Sequence, residues 1–128
     1  MKRAQGFTVI EIIVVILFLG VVTTLLLIQR GNLEAAQRDD KRKTAINAMY
    51  FNLEEVFFEK NKYYPAEITS KNLPAMDPEL LTDPRGVKLG EAASDYRYQG
   101  INCNNDKCQG YRLTAQLEKE AVYEKTNR

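Results

Sequence analysis

Few side chains in this 128-residue chain are equipped for bond-making chemistry. There is no His, so the two serines (Ser70 and Ser94) and the two cysteines (Cys103 and Cys108) have no imidazole to serve as general base. Two thiolates at C-x4-C spacing, with no imidazole to join them, also fall short of a structural zinc set. Asp77, Glu79 and Asp83 carry hard oxygens of the kind calcium takes, but their spacing fits no familiar loop, and turn and cap roles are the preferred reading. These residues argue against an enzyme and call for no cofactor. The remaining candidate is Glu11, a carboxylate four residues into an apolar run. On insertion scales such a group costs up to about 2.5 to 3.5 kcal/mol at a helix centre, less near an interface. Its chemistry would be ion pairing, strongest where water is scarce. The bland alternative places it in the headgroup layer without a role.

The element that must position Glu11 is plain. Between Phe7 and Ile28 only Thr8, Glu11, Gly20, Thr23 and Thr24 are not apolar. At about 1.5 Å per residue, residues 7–28 make a helix of roughly 33 Å, close to the hydrocarbon thickness of a bilayer. Everything after Gln29 is soluble in character. Lys2 and Arg3 precede the run as in a cleaved secretory signal, but the run exceeds the usual ~7 to 15 residues and no A-x-A site follows it. A plain signal anchor is the second reading. Arg30, Arg38, Lys41, Arg42 and Lys43 lie behind the run, so the positive-inside rule does not fix its orientation. The net charge of +1 argues against a nucleic-acid binder working by bulk charge.

A third reading comes from the residues themselves. Lys2-Arg3-Ala4-Gln5-Gly6, then Phe7-Thr8-Val9-Ile10-Glu11 and a long apolar run, resembles the class III leader of type IV prepilins and type II secretion pseudopilins. The resemblance implies that a prepilin peptidase cuts between Gly6 and Phe7 on the cytoplasmic side and methylates the new Phe7 amine. The apolar helix is then retained. Losing Lys2 and Arg3 takes 18 basic residues to 16 against 17 acidic ones, a formal side-chain charge of -1. Glu11 would pair with the Phe7 amine of a neighbouring subunit and set the axial register. The segment would be a membrane anchor first and a polymerisation surface later. Other implied partners are further pilins, an inner-membrane assembly platform and, through it, the assembly ATPase.

Helical periodicity continues beyond the apolar run. Ile46, Met49, Leu53, Val56 and Phe57 recur at steps of three or four, with Asn47, Glu54, Glu55 and Glu59 mostly on other faces. No Pro precedes Tyr64, and a helix is expected from Phe7 to about Asn61. Gly20 leaves a straight helix and a locally unwound one both open, since Ile28 stands where related pilins often carry Pro. The run Arg38-Asp39-Asp40-Lys41-Arg42-Lys43 reads most simply as a solvated face, with subunit or headgroup contacts second.

All four prolines fall between Pro65 and Pro84, where regular structure should stop. Lys62-Tyr63-Tyr64-Pro65 resembles the Tyr-Pro helix ending of many pilins and pseudopilins. Asp77-Pro78-Glu79-Leu80-Leu81 suits a one-turn helix capped by Asp. Asp83-Pro84-Arg85-Gly86 suits a type I turn and resembles the Asp-Pro-x-Gly of major pseudopilins. Further on, Tyr111, Leu113, Ala115 and Leu117 alternate with polar residues as a half-buried strand does. Placing Cys103 opposite Cys108 across Asn104-Asn105-Asp106-Lys107 sets Tyr98 opposite Leu113 and Tyr96 opposite Ala115. The apolar faces then coincide, which supports that register. Reduced thiols and a redox or metal pair are alternatives to a disulfide. On the far side of a membrane, an oxidising place, Cys103 and Cys108 would be bonded. The pair also resembles the disulfide-bounded loop of type IV pilins.

The expected fold is α+β and type IV pilin-like, a long N-terminal α-helix packed on a small antiparallel β-sheet. Its parts are a leader (1–6), a transmembrane and assembly helix (7–28), an amphipathic soluble half of the helix (29–62), a Pro-rich connecting loop (63–95) and a C-terminal β-hairpin region with tail (96–128). The expected function is a structural subunit of a type IV pilus serving adhesion, motility or DNA uptake. A pseudopilin of a type II secretion system is the alternative within the class. Location would be the inner membrane as a single-pass precursor, then an extracellular pilus or periplasmic pseudopilus. The contrasting class is a membrane-anchored binding domain that never polymerises, keeps residues 1–6 and is indifferent to Glu11→Ala.

Overall fold

A computed structural model describes residues 6–128 of the chain. The leader's Lys2 and Arg3 lie outside the described residues. The chain divides into two compact units, Met1–Glu34 and Ala35–Arg128.

Helix α1 runs Val9–Phe51, continues as a π-helical stretch over Asn52–Phe58 and closes as α2, Glu59–Asn61. Thr8 caps its start: the Thr8 hydroxyl accepts the Glu11 N–H at 3.3 Å and the Thr8 carbonyl accepts the Ile12 N–H at 3.2 Å. Gly20 lies within the helix, which stays helical on both sides of it. Lys62 adopts φ 60 and stops the helix, a left-handed terminus more often filled by Gly.

In the second unit, residues from Ala45 onward pack on a four-stranded antiparallel sheet. Strand β3 (Lys107–Ala115) is central. β2 (Tyr96–Asn104) pairs along one side, while β1 (Tyr64–Pro65) and β4 (Tyr123–Thr126) share the other. Tyr98 faces Leu113, Tyr96 faces Ala115 and Cys103 faces Cys108, the register the alternation implies. Asn105 and Asp106 form the two-residue turn, both with positive φ (48 and 64), as a right-twisted hairpin requires. Ile46, Met49, Leu53, Tyr111, Leu113 and Ala115 are fully buried between helix and sheet.

The structure departs from the expectations in definite places. Glu54 is buried and Val56 is exposed, because the π-helical stretch has wider turns than the α-helix assumed by the periodicity. Asp39 and Arg42 are buried, so residues 38–43 are not simply a solvated face. The connecting loop contains β1, and the tail contributes β4. β3 ends at Ala115, leaving Leu117 outside the strand: the Gln116 N–H still reaches the Asp95 carbonyl (2.9 Å), but the Asp95 N–H donates to the Asp83 carboxylate (3.0 Å) instead of returning to β3.

The connector otherwise follows its turn chemistry. Asp77 accepts the Glu79 N–H at 3.0 Å to cap the short 3-10 helix Pro78–Leu81. The Gly86 N–H donates to the Asp83 carbonyl at 2.9 Å, closing the predicted turn. Asp83 itself is buried and accepts the N–H groups of Arg85, Val87 and Asp95 at 2.9 to 3.0 Å. Burial raises its pKa, but those three donors outweigh burial and hold it below the usual carboxylate range. Both Asp83 oxygens are thus committed to the backbone rather than turned toward Asp77 and Glu79.

Candidate functional site

The first unit presents its side chains outward. Phe7 is 78% exposed, and the large apolar residues from Val9 to Ile28 are about half or more exposed, except Val22, which is partly covered. The helix is long and apolar enough to cross a membrane. Its polar side chains are accommodated locally: Thr23 Oγ1 donates to the Leu19 carbonyl (2.7 Å) and Thr24 Oγ1 to the Gly20 carbonyl (2.9 Å). Glu11 sits in the first turn, three residues after the Thr8 cap, where the positive end of the helix dipole favours a carboxylate. Gly6 and Phe7 precede the cap in non-helical chain. Glu11 therefore lies in the exposed first turn of the helix, with Gly6 and Phe7 just before it.

In the second unit, Cys103 and Cys108 form a disulfide across the hairpin. Cys108 is buried opposite Tyr64 of β1, while Cys103 is exposed. A Cβ built on Gly100 would lie 2.5 Å from the Cys108 sulfur and 2.7 Å from that of Cys103. Glycine at that strand position is what admits the bridge.

Two polar clusters lie inside this unit. In the first, the Arg42 guanidinium donates to Asp39 (2.8 Å), Glu118 (2.8 Å) and, through two nitrogens, Asp95 (2.8 and 3.1 Å). Asp39 also accepts the backbone N–H groups of Glu118 and Lys119, and Arg85 adds a second cation to Asp95 at 2.6 Å. Burial counts against charged Asp39, yet the two N–H donors and Arg42 prevail and lower its pKa. Glu118, bonded to Arg38 and then Arg42, is pulled down to about 2. In the second cluster, buried Glu54 accepts the Tyr64 hydroxyl (3.2 Å) and the Tyr111 hydroxyl (2.9 Å). Burial first, then the Glu54 charge, pushes the Tyr64 hydroxyl up to about 12, and Tyr111 rises further for the same reasons.

Sequence reasoning missed both clusters. Asp39 and Arg42 stand three residues apart on a helix, a visible signal, but their partners lie more than fifty residues downstream. No family model, curated protein or solved structure matches the chain.

Proposed function

We propose that the chain is a prepilin-type subunit, which is anchored by its apolar helix and then polymerises through it into a type IV pilus. The observation carrying this reading is the exposed apolar segment from Val9 to Ile28, which follows Gly6-Phe7-Thr8 and carries Glu11 in its first turn. Over this length an aqueous monomer would expose a continuous apolar surface, so the segment calls for lipid before assembly and for neighbouring subunits after it. Once the chain is cut, the Phe7 amine and Glu11 would supply opposite charges four residues apart on every copy. A pair formed between copies neutralises both in a poorly solvating core and fixes the register. The Cys103–Cys108 hairpin favours a surface pilus. The second reading, a pseudopilin of type II secretion, is favoured by the Asp83 to Gly86 turn.

The test is the intact mass and N-terminal sequence of protein from native membranes or sheared surface material. The expected chain begins at N-methylated Phe7 and retains the apolar segment. A chain beginning at Met1, or cut beyond Ile28, would leave Glu11 without its amine and overturn the proposal in favour of an anchored or secreted domain.

A further inference from the structure

The soluble half of the helix holds two competing answers to which face is apolar. Ile46, Met49 and Leu53 are core residues in both. At α-helical spacing the next apolar pair is Val56 and Phe57, which leaves Glu54 toward solvent. The observed π-helical stretch does the reverse: it buries Glu54 and leaves Val56 38% exposed. It also brings Phe58 against Tyr64, with ring centroids 4.8 Å apart. A π turn holds roughly one residue more than an α turn, so the two phasings differ by about 100° around the axis.

Choosing a carboxylate over a valine for a buried place is costly unless its lone pairs are satisfied. Here they are satisfied by two hydroxyls from different strands, Tyr64 of β1 and Tyr111 of β3. Glu54 forms no ion pair with an Arg or Lys among the described residues, so those hydroxyls are what holds it. We infer that residues 52–58 are a two-register element, latched in the π register by Glu54 through the Tyr64 and Tyr111 hydroxyls. Without the hydroxyls the stretch returns to α-helix, turning Val56 inward and Glu54 outward. The change propagates to Lys62, whose N–H bonds the Phe58 carbonyl at 2.7 Å, and so to the entry of β1. This device is independent of the filament reading.

Val56→Cys reports the register through its rate of reaction with a maleimide. The assay uses the full chain in detergent micelles, with the Cys103–Cys108 bond verified by mass. In the otherwise unaltered chain the thiol at position 56 reacts readily. Adding Tyr64→Phe and Tyr111→Phe slows it by at least roughly tenfold, the mark of a folded, protected site. Adding Glu54→Leu as well restores the fast reaction, because an apolar side chain keeps the buried place without needing the hydroxyls. An unchanged rate in the two-Phe chain overturns the inference. So does loss of its melting transition, since a two-register element offers a folded alternative. Failure of Glu54→Leu to restore the rate removes Glu54 as the latch.

Discussion

Arg42 is the residue on which the second unit's polar interior turns. It is 1% exposed and faces three carboxylates from α1, the connector and the tail, two of them largely removed from water. Such a group stabilises little by itself, but removing it strands what it was paired with. Arg42→Ala is expected to cost about 3 to 5 kcal/mol in chemical unfolding of the full chain, because Asp39 and Asp95 lose a desolvated partner. Arg38→Ala removes a half-exposed pair with the same Glu118 and should cost about 1 kcal/mol or less. Equal costs for the two substitutions would contradict this account. The sequence spells out the charges but not the burial. A run of mixed signs looks the same whether it faces water or distant acids folded back onto it.

At the scale of elements, the hairpin was legible and the helix only partly so. Strand alternation, a polar two-residue turn and the cysteine spacing all agreed on one register, and the structure has that register. The helix was legible to within a residue or two at its ends, yet its faces were misassigned after Leu53. Periodicity assumes one number of residues per turn, and tyrosines on distant strands decided otherwise. β1 and β4 escaped notice because strands of two and four residues carry too little pattern to stand out. Gly100 tests the hairpin directly. Gly100→Ala drives a methyl group into two sulfurs that their mutual bond prevents from moving aside. A loss of about 1 to 3 kcal/mol is expected, read as a lower melting temperature, and a smaller loss when Cys103→Ser and Cys108→Ser are also present.

For the molecule as a whole, composition alone separates an apolar stretch ending at Ile28 from the more polar chain after it. One stretch is apolar all round and the other has a core, and the break falls near residue 34. The candidate site was legible because Glu11 is conspicuous in an apolar run, whereas the packing of the second unit depends on contacts far apart in sequence. Acid stability follows from that packing. Asp39 and Asp83, despite burial, and Glu118, through Arg38 and Arg42, all hold their protons less tightly in the folded chain than in an open one. Carboxylates shifted downward stabilise the fold above the open-chain pKa of about 4, and that stabilisation disappears as the pH falls toward about 2. Thermal unfolding of the full chain should therefore be nearly flat from about pH 7 to 5 and fall steeply below about pH 4. A midpoint that rises on acidification would refute this.

The tail that carries Glu118 is joined to the helix at many points in matching order. Arg38 meets Glu118, Lys43 meets Glu120, Asn47 meets Tyr123, Tyr50 meets Lys125 and Glu55 meets Arg128. The two segments thus run side by side in the same direction, and the consequence is mechanical. A pull along the helix axis loads these contacts together in shear, whereas a pull at right angles peels them one after another from an end. Rupture under load is set by the rate of crossing a barrier, and a barrier that requires several contacts to fail at once is crossed slowly. The domain is expected to resist tension along its helix better than a sideways pull.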